Sequence, residues 1–147
     1  MRPLAHFARG RLIGAMNARD RRQLHQLHPL KLLVDWGTAA IATMLLWRGA
    51  PVAAFGIGIL PSLAISALFL SGAMDRALAS IAARPLARAL AGELTAPIDT
   101  LRFLGLAIAW AGGWWHRPLA IAVGVVLILA AWIVAITRVA QGSSRAE

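Results

Sequence analysis

Apolar residues run along this chain in four long blocks that carry almost no ionisable groups: Leu30 to Trp47, Val52 to Ser71, Ile98 to Trp115 and Leu119 to Thr137. A helix rises about 1.5 Å per residue and a bilayer core is about 30 Å thick, so a crossing needs roughly 20 such residues. Each block comes close to that length. The first two are separated by Trp47-Arg48-Gly49-Ala50-Pro51 and the last two by Trp114-Trp115-His116-Arg117-Pro118, so each turn sets a Trp four residues before a Pro with an Arg between. Such matching turns fit a duplicated helical hairpin. They fit equally well two independent external turns, each served by an interfacial aromatic, a snorkelling cation and a proline to open the next helix. The predicted fold is all-α: a polytopic integral membrane protein with four transmembrane helices as two helical hairpins, and cytoplasmic amphipathic segments.

The polar stretches carry weaker periodicities. In the arm formed by residues 1–29, Leu4, Phe7, Ala8, Leu12, Ile13 and Met16 fall roughly on one helical face, which suits a helix lying in the membrane interface. A second short helix is expected from Arg21 to His28, stopping at Pro29 because proline supplies no amide. Residues 30–71 form the first hairpin. The loop of residues 72–97 sets Leu78, Ile81, Leu86 and Leu90 against Arg76, Ser80, Arg84 and Arg88, which predicts an amphipathic segment on the cytoplasmic leaflet, kinked or broken at Pro85. Residues 98–138 form the second hairpin and residues 139–147 a cytoplasmic tail.

Composition and charge sharpen this picture. With 59% hydrophobic and only 14% charged residues the chain lies far from soluble globular usage. Lys and Arg in short membrane-flanking segments mark the cytoplasmic side. Thirteen fall in the arm, the middle loop with Arg102, and the tail, against two, Arg48 and Arg117, in the tight turns. Both termini are therefore expected in the cytoplasm. The net charge of +9 is then mainly a topology signal, with anionic lipid head groups as secondary partners alongside the bilayer itself. The arginines are dispersed along the chain and cover no single face, which argues against nucleic acid. The arm is Arg-rich and acid-poor like a transit peptide, yet lacks Ser enrichment and a cleavage site, so it is expected to be retained. Fourteen of the fifteen basic residues are Arg, and Ala and Leu dominate the apolar set, a coding bias that points to a GC-rich bacterium and its inner membrane. Trp36, Trp47, Trp114, Trp115 and Trp132 fall near predicted helix ends, as an aromatic belt requires, while Trp110 lies deeper as an expected packing or lipid contact.

The candidate chemistry is sparse. Asp35 is the one acidic residue expected inside the bilayer, about 18 Å from the external side by helix rise, with Ser62 at about 15 Å, Ser66 at about 21 Å and Thr38 at about 13 to 14 Å. Asp35, Thr38, Ser62 and Ser66 are thus a candidate proton or cation site, with Pro61 freeing the Ile57 carbonyl nearby. Lys31, four residues before Asp35 on the same face, and Arg102 are the candidate charge partners that would make Asp35 half of a structural ion pair. His25 and His28 form an HxxH spacing that could join Asp35 around a metal. There is no cysteine, and no GxSxG, HExxH, P-loop or dinucleotide fingerprint. No cofactor is expected. Gly105, Ala109 and Gly113 at spacing four, and Ala120 and Gly124, are expected helix-packing stripes, either within the chain or between copies. The functional expectation is a non-enzymatic structural or accessory subunit that assembles as a homo-oligomer or within a larger membrane complex. The alternatives are a small homo-oligomeric transporter or channel working through Asp35, and a metal- or quinone-dependent membrane module.

Overall fold

Proline placement sets the helix starts. Of the chain's seven prolines, Pro29, Pro51, Pro85 and Pro118 occupy the first position of a helix and Pro97 the second. There the missing amide would be unsatisfied anyway and the fixed φ is already helical. The computed structural model describes residues 18–144, with side-chain surroundings for residues 21–141. It contains α1 (Ala18–Leu24), a 3-10 turn (His25–Leu27), α2 (Pro29–Trp47), α3 (Pro51–Leu70), α4 (Asp75–Ala82), α5 (Pro85–Glu93), α6 (Ala96–Trp114) and α7 (Pro118–Ser144). The starts of α2, α3, α6 and α7 fall within two residues of the apolar blocks, but α7 continues past Thr137, where no proline or glycine interrupts it before Gly142.

Both long turns close in the same way. Gly49 N donates to Leu46 O at 3.0 Å and Ala50 N to Leu45 O at 2.9 Å. His116 N donates to Gly113 O at 3.4 Å and Arg117 N to Gly112 O at 2.8 Å, the same Schellman pattern. The left-handed residue is Gly49 at φ 73° in one turn and His116 at φ 54° in the other. The His116 ring lies 5.0 Å from that of Trp47, joining the two turns.

Among the described residues α2, α3 and α7 are long and apolar enough to cross a bilayer, the last over Pro118–Gln141. Helix α6 carries Asp99, Thr100 and Arg102 near its start and qualifies only together with α5, to which it is bent by 79°. The chain is therefore an all-α integral membrane protein with three spans, or four if the bent pair is one.

Burial is inverted relative to a soluble bundle. On α7, Ala131 and Ala135 are fully covered while Val126 and Ile133 are about 60% exposed. Large apolar side chains point outward to where lipid accepts them, and small residues line the contacts, because in lipid helices associate through close backbone approach. Helix α6 packs on α7, α2 on α3, and α2 on α6. A Cβ at Gly105 would stand 2.6 Å from Gly124 O, and one at Gly112 2.7 Å from Ile121 N. The stripes thus pack within the chain. Gly113 departs from its expected place: it faces Thr43 O and Leu46 on α2, and Gly112, one residue earlier, faces α7 in its stead. A helix turns 100° per residue, so a spacing of eight from Gly105 drifts off the α7 face that a spacing of seven holds.

The basic loop breaks at Arg84 and Pro85 as expected, yet its apolar face is not left to the lipid. Leu78, Ile81 and Ala91 are buried with Leu24 of α1 and Phe69 of α3. Gly72, at φ 87°, turns the chain after α3 and leaves room for the Arg21 guanidinium, 3.2 Å from where a Cβ would be. Leu86 alone keeps an outward aspect, 64% exposed. The amphipathic stretch from Leu4 to Met16 lies outside the described residues.

These contacts predict that Gly105→Ala and Gly124→Ala each destabilise the protein by about 1 to 3 kcal/mol, since backbone atoms oppose the added methyl and must move. Gly37→Ala and Gly56→Ala, with nothing within 4 Å, should be neutral or slightly stabilising. Unfolding of purified protein in mixed micelles measures both pairs, and equal loss in all four would refute the close seam.

Candidate functional site

Three ion pairs gather toward one end of the bundle, away from the two long turns. The deepest joins α2 to α3. Lys31, 7% exposed, directs its Nζ to Asp35 Oδ1, to Ser62 O at 3.2 Å and to Ser62 Oγ at 3.5 Å. Ser62 Oγ itself donates to the same Asp35 oxygen. One carboxylate oxygen thus takes both partners. The i to i+4 spacing on one helical face brings Lys31 over Asp35, and the packing of α3 adds Ser62.

Other expected members sit differently. Ser66 Oγ donates to Ser62 O at 2.7 Å, beside the cluster. Thr38 does not join: its hydroxyl bonds back to Val34 O at 2.7 Å on its own helix, the usual retreat of a threonine in an apolar helix. The carbonyl Lys31 reaches is that of Ser62 and not that of Ile57, although Pro61 does lie inside α3. Arg102 is not the partner of Asp35. Its Nη1 donates to Asp99 Oδ1 at 3.1 Å and to Gln26 Oε1 at 3.0 Å, and its guanidinium lies 4.8 Å from the Trp132 ring centre, a cation–π contact. Trp132, half-buried, is therefore engaged by Arg102.

The third pair was invisible in the sequence. Arg21 grips Asp75 with two parallel bonds, Nε to Oδ1 at 2.8 Å and Nη2 to Oδ2 at 2.7 Å, across 54 residues. It ties α1 to the start of α4. Arg21 holds the Asp75 carboxyl below its usual range, chiefly by hydrogen bonding.

The two histidines have separate occupations. His25 Nδ1 lies 3.1 Å from Arg21 O and its ring stands near Phe69. His28 Nδ1 accepts from Leu30 N at 3.2 Å, capping α2, and its ring centre is 4.7 Å from that of Phe69. Among the described residues no three His, Cys, Asp or Glu side chains gather as a metal would require, so the HxxH and Asp35 do not come together.

Between α2, α3, α6 and α7 lies a cavity of about 470 Å³. Lys31, Asp35, Ser62 and Ser66 line one wall, and Asp99 and Arg102 another, with Trp36, Phe103, Trp110 and Trp132 between them. Trp110 packs edge-on to Phe55 at 5.5 Å and fills the space that Gly58 leaves open. Its Nε1 is buried with no hydrogen-bond partner among the described residues. The arrangement offers polar anchors and an aromatic surface, but no nucleophile with an adjacent base.

The chain matches no family model, no curated protein and no solved structure. Its function is therefore read from this geometry.

The titratable groups outside the spans predict a two-step loss of stability in acid. Burial pushes His25 below its usual 6.5 and outweighs the hydrogen bonds its ring makes to the Arg21 and Arg22 backbone; Lys31 adds to the lowering and Asp35 opposes it. His28 is lowered by burial as well. The unfolded chain then takes up protons first, so stability is full above about 6.5 and falls as the pH drops below it. Asp75, whose folded pKa is lowered, contributes stability above its unfolded value that is lost further down, below about pH 4. Thermal unfolding in detergent between about pH 7.5 and about pH 5 should show the first loss, and His25→Gln should flatten most of it. An unchanged slope in that variant would remove His25 from this role.

Proposed function

We infer that this chain is a non-enzymatic integral membrane protein, an accessory or structural subunit that crosses a bacterial inner membrane four times as two helical hairpins, both termini cytoplasmic. The observation that carries this reading is the closed Lys31–Asp35–Ser62 cluster. A lone intramembrane carboxylate reads as a functional site by default. Here its charge is met within its own chain, and every N–H of the partner ammonium has an acceptor. Asp35 acts as a cross-link between α2 and α3, which weakens the competing reading of a proton or cation carrier. The absence of a three-ligand metal cluster among the described residues further favours a non-catalytic module.

Assembly, in this reading, uses faces other than the glycine stripes, since Gly105, Gly112 and Gly124 are spent inside the chain. Large outward side chains such as Leu33, Val52 and Phe103 are available to a partner's helices as well as to lipid. The distribution of thirteen basic residues against two supports the orientation, and α5 bent against α6 would complete the fourth crossing.

Breaking the pair on one side leaves an uncompensated charge, whereas removing both sides is far less costly. Asp35→Asn and Lys31→Gln are each expected to lower stability by about 3 kcal/mol, and the double variant to recover most of it. Additive losses would sink the cross-link. Purification from native membrane in mild detergent, followed by the mass of the complex, tests the subunit reading. A stoichiometric foreign partner is expected. A clean homo-oligomer would return Asp35 to the carrier reading, and a monomer would end the subunit proposal.

A further inference from the structure

The cavity beside the ion pairs has open hydrogen-bonding capacity on its carboxylates, together with one buried donor, Trp110 Nε1, that has no partner among the described residues. Lys31 spends all its donors on Asp35 and Ser62. Arg102 turns Nη1 to Asp99 and Gln26 and lays its guanidinium on Trp132. Asp35 and Asp99 are each a little under one-third exposed, and in each only Oδ1 is engaged among the described residues. Neither Oδ2 is a buried orphan. Two carboxylate oxygens in a largely apolar cavity thus remain open to a donor.

Net charge narrows the ligand further. The cavity's two carboxylates are each paired with a neighbouring cation, so these four groups together carry no net charge to hold an anion, which would also face the open carboxylate oxygens. A cation approaching Asp35 meets the Lys31 ammonium at the same carboxylate. An uncharged group that donates a hydrogen bond faces neither cost. The volume, about 470 Å³, and the aromatic lining of Trp36, Phe103 and Trp110 suit a mainly apolar molecule with a small polar head.

We propose that this cavity binds a neutral, hydroxyl-bearing membrane amphiphile, its O–H donating to the open oxygen of Asp35 or Asp99 and its apolar body lying against the aromatic wall. The site rests on the ion-paired reading of Asp35 but requires no partner subunit. The two therefore fail separately: a monomer, which ends the subunit proposal, leaves the site standing, and absence of binding leaves the cross-link standing.

The test places the full chain in phosphatidylcholine nanodiscs with one of three photoreactive diazirine probes of equal chain length: an alcohol, the matched alkane and the matched trimethylammonium. Crosslinks are mapped by mass spectrometry. The alcohol is expected to label the α2, α3 and α6 segments that line the cavity about tenfold more than the alkane, the effect of one charge-assisted hydrogen bond. Excess 1-decanol should compete. Ala39→Phe and, independently, Leu63→Trp narrow the cavity from different helices and should remove the labelling. In each, an unchanged melting profile shows that the fold persists. Equal labelling by alkane would reduce the cavity to an acyl-chain groove and overturn the proposal. Stronger labelling by the ammonium probe would overturn it in favour of a cation site.

Discussion

Close backbone contact between α6 and α7 is the constraint on which the rest of the molecule depends. Lipid tails are as apolar as leucine, so burying large side chains between helices gains little in a bilayer, and stability must come from surfaces that fit without side chains between them. Gly105 and Gly112 of α6 and Gly124 of α7 supply that fit. Once α6 is seated on α7, its next face carries Gly113 onto Thr43 and Leu46 of α2, and α2 carries α3 with it through Ala42, Leu46 and Ala54. Side-chain size decides the order of the bundle. Small residues make the close contacts along α6 and α7, and most of the large apolar side chains of the long helices remain outside, with Leu46 and Phe69 among the exceptions.

A bundle joined so tightly at glycines must open where its side chains grow. Trp110 needs Gly58 to be accommodated, and beyond it the walls part into the cavity lined by Trp36, Phe103 and Trp132. The polar groups lie at that wider end. Burying charge there is costly, and the structure offsets it by local pairing: Lys31 with Asp35, Arg102 with Asp99, each within one turn of helix. Long-range neutrality is left to Arg21 and Asp75, where both side chains retain some solvent and the desolvation cost is smaller.

The sequence revealed what local periodicity and covalent constraint determine. Proline positions and apolar blocks located the four long helices to within two residues at their starts, and the i to i+4 spacing paired Lys31 with Asp35. The depth argument also brought Ser62 to that pair, because helix rise is nearly invariant. What it missed depends on rotation and on contacts far apart in the chain. Thr38 shares a depth with the cluster but bonds to its own helix, and depth alone carries no azimuth. The i to i+3 spacing already set Asp99 beside Arg102, but Gln26 reaches Arg102, and Arg21 claims Asp75, through the packing of segments that no spacing rule relates. The third apolar block is one unbroken helix, α6, but its half-polar start keeps it from qualifying as a span by itself, and it does so only with α5 across the 79° bend.

The same bend brings the basic loop back against the bundle. Helices α4 and α5 fold back over Phe69 and Leu24, while the cavity end is lined by His25 and Gln26 of the 3-10 turn. Arg76, Arg84 and Arg88 stay on the outer side, where arginine can reach phosphate head groups without crossing the apolar layer. A soluble protein would bury the loop's apolar face and hydrate the charges. Here the loop has both a protein side and a lipid side: Leu78, Ile81 and Ala91 close on Phe69 and Leu24, and Asp75 ties the loop to α1 through Arg21, so one ion pair and one apolar cluster hold the loop against the bundle.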